Sequence, residues 1–384
     1  MRILYPEAPE RHVSDPPPLA PREFHAALEA YAPTPLLELP ALARACDVGR
    51  VLVKIESDRL GLPSFKILGA SWATVQALRA LLPADWTARD GLRTLVGRLP
   101  ARTLVAATDG NHGRALARVA HTLELPARIY VPANVSARRR ATIAAEGAEI
   151  VEVDGSYDDA VAKSAAAAED EANILVSDTS WPGYEAVPAA VIDGYSTILW
   201  EIEEQLSATA AARPDLVLVQ LGVGAFGAAV IRHFRRPGAV VPRIVGVEPE
   251  GAACVMASLA AGQMVSVPGP HDSVMAGLNC GTPSLVAWPL LRHGLDATVA
   301  LADEPVLDAV RLLAHEGLAI GECSAAAVAA ALELLGGPLA DEHRSRLSVA
   351  QDATVLLFAT EGVTDEEAFA HAVGDREPAT GALP

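Results

Sequence analysis

Short β-branched runs alternate with alanine-rich stretches along most of the chain, and this alternation limits the possible folds more than any other feature. The runs are VLVKIE (51–56), TLVAAT (103–108), ARIYVP (127–132), EIVEVD (149–154), ILVS (174–177), DLVLVQLG (215–222), RIVGVEP (243–249) and ATVLLFAT (353–360). They are apolar almost throughout, as strands covered on both faces are. Between them lie helical stretches at 65–82, 113–123, 136–148, 191–206, 226–234 and 325–335. Strand–helix–strand alternation predicts an α/β protein with mainly parallel sheets and right-handed crossovers. The segment 103–177 reads β-α-β-α-β-α-β, and a second series runs over 215–360. The expectation is two doubly wound, mainly parallel sheets with helices on both faces, and a cofactor in the cleft between domains.

Composition supports a large core. The 384 residues are 51% hydrophobic and 20% charged, enough for about two to three domains. The formal net charge of −18 has the wrong sign for nonspecific nucleic-acid binding and disfavours anionic membrane surfaces. No uncharged apolar run reaches the ~18 residues of a membrane span. The opening MRILYPEAPERHVSDPPP has acids and prolines where a signal peptide needs an apolar stretch. Cys46, Cys254, Cys280 and Cys323 are far apart and form no CxxC pair, which fits a reduced, cytoplasmic protein. No His or carboxylate cluster suggests a metal. Residues 261–285 form a long Gly/Pro-rich but apolar connection, and a loop of that length is functional or disordered.

Five segments have the residue types of a reaction site. Pro-Ser-Phe-Lys-Ile-Leu-Gly-Ala at 63–70 sets Lys66 at a helix start among apolar neighbours. Desolvation there lowers an amine's pKa and makes it a nucleophile able to form a Schiff base, although a lysine at a helix start is also an ordinary surface residue. Ala-Thr-Asp-Gly-Asn-His-Gly-Arg-Ala at 107–115 joins a strand to a helix, where backbone N–H groups face an anion. Its Asp109, Asn111 and His112 put three hydrogen-bonding side chains on one turn, yet the same residues serve plain turn chemistry. Gln-Leu-Gly-Val-Gly-Ala-Phe-Gly-Ala at 220–228 is a second strand–glycine–helix junction, suited to a phosphate or to a tight βα turn. Ser-Asp-Thr-Ser-Trp-Pro-Gly-Tyr-Glu at 177–185 places Asp178 at a strand end near Trp181 and Tyr184, which predicts a raised pKa and acid–base work, or else an N-cap. Thr360 offers a neutral hydroxyl after the last strand.

These segments in this order resemble the fold type II pyridoxal-phosphate enzymes, and within them the diaminopropionate ammonia-lyase family. The resemblance rests on the Phe-Lys-x-Leu-Gly context at 65–69, the Thr-Asp-Gly-Asn-His-Gly turn at 108–113, and Asp-Thr-x-Trp-x-Gly-Tyr at 178–184. It also rests on Gly-Tyr-x-Thr-x-x-Trp-Glu at 194–201, Met-Ala-Gly-Leu-Asn-Cys-Gly at 275–281 and the stretch 360–365. It runs over about 31–365. Asp109 sets this family apart from threonine dehydratases and cysteine synthases, which usually carry a serine there. Pro182, Val363, Cys323 and Ala325 depart from the family pattern.

The resemblance implies roles. Lys66 would hold pyridoxal 5'-phosphate through a Schiff-base link and return as a base. Asn111 would bond the ring hydroxyl, the backbone of Gly222, Val223, Gly224, Ala225 and Phe226 would cradle the phosphate, and Thr360 would face the pyridine nitrogen. Thr108, His112 and Tyr184 would contact the amino-acid substrate. Lys66 and Asp109 would remove the α-proton from opposite faces, so that L- and D-2,3-diaminopropionate both react, and Asp178 would hold or protonate the leaving ammonia. A larger cofactor-binding domain of 1–65 and 195–384, a smaller mobile α/β domain of 66–194, and a homodimer are the matching expectations. A dehydratase or β-replacement synthase acting on a related β-substituted amino acid is the alternative on the same scaffold.

Overall fold

The β-branched and leucine-rich runs assemble into two separate sheets. The computed structural model describes residues 1–6, 15–108, 110–133, 135–209, 213–239 and 241–374. In chain order its strands are β1 (Arg2–Leu4), β2 (Leu36–Glu38), β3 (Arg50–Ile55), β4 (Thr103–Ala107), β5 (Ala127–Pro132), β6 (Glu149–Val153), β7 (Asn173–Leu175), β8 (Leu216–Gln220), β9 (Arg243–Pro249), β10 (Ala297–Leu301) and β11 (Thr354–Ala359). Every run named from the sequence is a strand. The pattern does not announce β1, β2 or β10. The first two are three-residue edge strands, and β10, Ala-Thr-Val-Ala-Leu, is poor in β-branched residues.

The chain forms two compact units. The larger is Met1–Pro17, Pro33–Asp58 and Ile198–Pro384, and the smaller is Pro18–Ala32 and Arg59–Thr197. The expected boundaries at 65/66 and 194/195 thus move by a few residues, and 18–32 joins the smaller unit instead of the larger. The short helix Ala20–Ala26 explains that correction. Phe24 is fully buried with its ring 5.6 Å from that of Trp72. His25 Nε2 donates to the Leu68 carbonyl at 3.0 Å, while Nδ1 meets Thr197 Oγ1 at 2.7 Å. Nothing in a proline-led seven-residue helix signals such distant partners.

In the larger unit the sheet order is β1-β10-β9-β8-β11-β3-β2, with parallel pairs inside and antiparallel pairs at both edges. Every residue of β8, β10 and β11 is buried, and successive side chains point to opposite faces, so both faces are covered. Small side chains of the helix Glu322–Gly336, Ala325 to Ala331 apart from Val328, are buried in the same core as Leu218, Val247 and Leu357. β3 brings Lys54 into this unit with no exposure. Its Nζ donates to Glu201 Oε2 at 2.7 Å, the Thr34 carbonyl at 2.7 Å and Gln205 Oε1 at 3.1 Å, so the buried charge is matched on every side. The long connection at 261–285 is packed: Met275 and Leu278 are buried around a single 3-10 turn.

In the smaller unit the sheet order is β6-β5-β4-β7, and all pairs are parallel. The helix Tyr157–Ala167 starts at a capping box, Ser156 with Asp159, and packs on β4 and β5. The helix Lys66–Ala77 packs along the helix Asn111–Leu123. Among the described residues no single helix is long and apolar enough to cross a membrane, and no group of three or more His, Cys, Asp or Glu is placed to hold a metal ion.

Candidate active site

β4 and β7 are parallel neighbours, so the turns that follow them lie side by side at one edge of the smaller sheet. The first turn leads into the helix Asn111–Leu123, whose second residue is His112; the second turn carries Asp178, and the helix start at Lys66 meets both. Lys66 Nζ donates to Asp178 Oδ2 at 2.8 Å, with the lysine side chain 21% exposed and the aspartate 9%. His112 is buried; its Nε2 donates to the Val176 carbonyl at 2.8 Å, and its Nδ1 lies 4.0 Å from the same Asp178 oxygen. The apolar setting expected of Lys66 is therefore only half the picture. Phe65 and Tyr195 do flank it, with Nζ 5.7 and 5.9 Å from their ring centres, but a carboxylate from 112 positions downstream supplies the polar partner.

That ion pair overturns one expectation. Burial opposes ionisation of Asp178, but the Lys66 ammonium and then the His112 ring outweigh it, and the carboxyl is lowered to about 2. Asp178 is held ionised, not raised toward neutrality by Trp181 and Tyr184. Those two rings stack on each other at 4.6 Å instead.

Tyr195 has no role in the sequence reading, although it sits in a quoted motif. It is fully buried, its ring crosses that of Phe65 at 4.7 Å, and burial pushes its hydroxyl up to about 12. The signal lay in two glycines. A Cβ at Gly69 would fall 2.5 Å from Tyr195 Cε1 and 2.8 Å from Val191 Cγ1, and one at Gly194 would fall 2.5 Å from the Leu68 carbonyl oxygen. The helices Lys66–Ala77 and Ala186–Ala208 approach this closely only without those side chains. Gly69→Ala is expected to destabilise the protein by about 1–3 kcal/mol through overpacking, and to lower activity by displacing Tyr195 beside Lys66. Urea unfolding midpoints of the two proteins check this.

Two expected substrate contacts have other work. Thr108 Oγ1 accepts the backbone N–H groups of Gly110 (3.0 Å) and Gly113 (3.2 Å), so it builds the turn. Tyr184 Oη accepts from Ser177 N–H at 3.0 Å and donates to the Leu175 carbonyl at 2.9 Å, so its hydroxyl is spent on holding the segment that leads into Asp178. Asn111, expected on the turn before a helix at 113–123, is instead the first residue of the helix Asn111–Leu123. Asp109 lies outside the described residues. Pro182 is exposed, while Cys323 and Ala325 are buried core residues.

In the larger unit, Gly222, Val223, Gly224, Ala225 and Phe226 follow β8, and Thr360 follows β11, its parallel neighbour. Gln220 Nε2 ties the two strand ends together by donating to the Phe358 carbonyl at 2.7 Å, and Phe226 packs edge-on against Phe358 at 5.0 Å. Gly224 has φ +91°, a left-handed conformation that glycine adopts without strain, and caps the helix Ala225–Phe234. No side chain caps that helix and no acid lies in its first turn, so its leading N–H groups suit a phosphate. Thr360 is buried and neutral. Within this unit, the hydroxyl at a strand end and the uncapped, acid-free helix start suit the ring nitrogen and the phosphate of pyridoxal phosphate.

The family model described as pyridoxal-phosphate dependent enzyme matches residues 27–358. The chain belongs to that class. Diaminopropionate ammonia-lyase of Salmonella typhimurium is 34% identical over 90% of this chain and 89% of its own length; that of Escherichia coli is 32% identical over 92% and 90%. The crystal structure of the Escherichia coli diaminopropionate ammonia-lyase, in complex with an aminoacrylate-PLP azomethine reaction intermediate, superposes with a TM-score of 0.87 at 30% identity, covering 100% of this chain and 98% of that one. Within its class the chain is a member of the diaminopropionate ammonia-lyase family.

Proposed function

We propose that this chain eliminates ammonia from 2,3-diaminopropionate, giving pyruvate and a second ammonia. Lys66 and Asn111 are the residues to hold the aldehyde carbon and ring hydroxyl of pyridoxal phosphate, Gly222 to Phe226 its phosphate, and Thr360 its ring nitrogen. When bound, the cofactor supplies an electron sink for the pair left at Cα. Lys66 would take the α-proton of one enantiomer, and Asp109 that of the other. Asp178 receives the β-nitrogen. The observation that carries this reading is the Lys66–Asp178 pair, in which two basic neighbours keep a carboxylate ionised against its burial, where an amine already sits. A cationic β-ammonium gains from that charge; a β-hydroxyl does not. The reading includes a cytoplasmic homodimer, which the four free thiols support as far as the compartment is concerned.

Assays of pyruvate or other oxo acid and ammonia with L- and D-diaminopropionate, serine and threonine test it. Both diaminopropionate isomers are expected to exceed serine and threonine in kcat/KM by about a hundredfold, a charge-recognition effect of about 2.7 kcal/mol. Preference for serine or threonine would overturn it in favour of the dehydratase. In the same assay Asp109→Asn should depress the D-isomer more than the L-isomer, and equal losses would remove Asp109 as the second base.

A further inference from the structure

The proposed reaction leaves one buried hydroxyl beside Lys66 without a task. Tyr195 is fully buried, Lys66 Nζ lies 5.9 Å from the centre of its ring, and a Lys66 N–H is the hydrogen-bond partner of its hydroxyl. The ring is held on two sides. Phe65 crosses it at 4.7 Å, and the bare Gly69 lets the helix Lys66–Ala77 come up against its Cε1 edge. Lys66 itself has a flexible four-carbon stem. Asp178 Oδ2 anchors its amine at 2.8 Å. That anchor is lost when Asp178 turns to the β-nitrogen of a bound substrate, and a lysine without a fixed partner samples many rotamers. The Tyr195 hydroxyl, fixed by its ring, is an anchor that remains. Burial keeps it protonated, because it is pushed up to about 12 against the Lys66 charge. A neutral oxygen accepts an N–H from the amine and from the ammonium alike, and adds no charge to compete with Asp178 for a β-ammonium. Among the described residues the other titratable groups at Nζ are Asp178 and, beside it, His112.

We propose that Tyr195 is a positioning residue for the lysine base: its hydroxyl accepts an N–H of Lys66 and sets where Nζ stands as it takes the α-proton. The proposal rests on the ammonia-lyase reading, in which Lys66 serves the L-isomer and Asp109 the D-isomer. Positive charge grows on Nζ as the proton arrives, so the hydrogen bond it donates to the hydroxyl strengthens toward the transition state. No bond is made or broken at Tyr195, and its own proton stays in place throughout.

Tyr195→Phe keeps the ring and its packing on Phe65 and removes only the hydroxyl. As cofactor-loaded enzyme it should lose about tenfold in kcat on L-diaminopropionate and less than about twofold on the D-isomer, the scale of one hydrogen bond to a charged group. Partial unfolding lowers both rates alike and cancels from their ratio, and Tyr195→Leu gives the same ratio if the first variant does not fold. The cofactor-free chain supplies a second readout. It has three lysines, Lys54, Lys66 and Lys163, so labelling lysine at its ε-carbon gives a carbon NMR spectrum simple enough to follow Lys66. In Tyr195→Phe the Lys66 signal should titrate at lower pH than in wild type, because its ammonium has lost an acceptor. Equal losses on the two isomers, no loss on either, or an unmoved Lys66 titration would overturn the proposal. Wild-type enzyme that acts on neither isomer would instead remove the ammonia-lyase reading, with the shift in the Lys66 titration still expected.

Discussion

Lys66→Ala is expected to lower kcat for elimination by at least about a thousandfold and to abolish the visible absorbance of a lysine-linked cofactor. Two effects combine. The amine that links the cofactor is the amine that takes the α-proton of one enantiomer, so one truncation removes both. Its loss also strips Asp178 of its nearest cation. Burial then acts on that carboxyl with only His112 and a backbone N–H opposing it, and its pKa rises from about 2. Because the lysine side chain is 21% exposed, the accompanying loss of stability stays below the several kcal/mol of a fully buried broken pair. Absorbance spectra with added cofactor and single-turnover rates measure the two effects separately. A variant that retains both absorbance and turnover would show that another amine holds the cofactor.

Asp178→Asn has the second largest expected effect, a fall of about a hundredfold or more in kcat/KM for diaminopropionate. The amide is the same size but carries no charge, so Lys66 loses its partner at 2.8 Å and the β-ammonium finds no anion. The pH dependence has a definite sign. The folded carboxyl lies at about 2, below its ordinary 3.8, so the stability from its ionisation is fully present above about pH 4 and is lost as pH falls toward 2. The gap in urea midpoint between wild type and Asp178→Asn should therefore narrow as the pH is lowered from 5 to 3. A gap that widened on acidification would mean that Asp178 is not held ionised by its neighbours.

Much of the architecture is legible in the sequence because buried parallel strands must be apolar on both faces. TLVAA, ARIYVP and LVLVQ show that pattern directly and are β4, β5 and β8. Edge strands such as β1 and β2 have no such requirement, and the membership of 18–32 depends on what Phe24 and His25 touch far along the chain. The same division holds at the site. Lys66, Asn111 and Asp178 stand out by their place at strand ends and helix starts. Their electrostatics do not: Asp178 reads as a carboxyl beside aromatic rings until Lys66 is seen 2.8 Å away. Thr108 and Tyr184 have the residue types of substrate contacts, but Thr108 Oγ1 accepts two backbone N–H groups of its own turn, and the Tyr184 hydroxyl is bonded both to Ser177 N–H and to the Leu175 carbonyl. Tyr195 was hidden because its importance comes from space, the two glycines that let one helix lie against another, and not from its own motif.

The central claim is that the leaving group is the β-nitrogen, held by Asp178. The most direct measurement is the ratio of ammonia to pyruvate released from diaminopropionate, with the β-nitrogen isotopically labelled. The account predicts two ammonia molecules per pyruvate, one of them carrying the label and released at the elimination step. A ratio of one, or pyruvate formed only from serine, would contradict it.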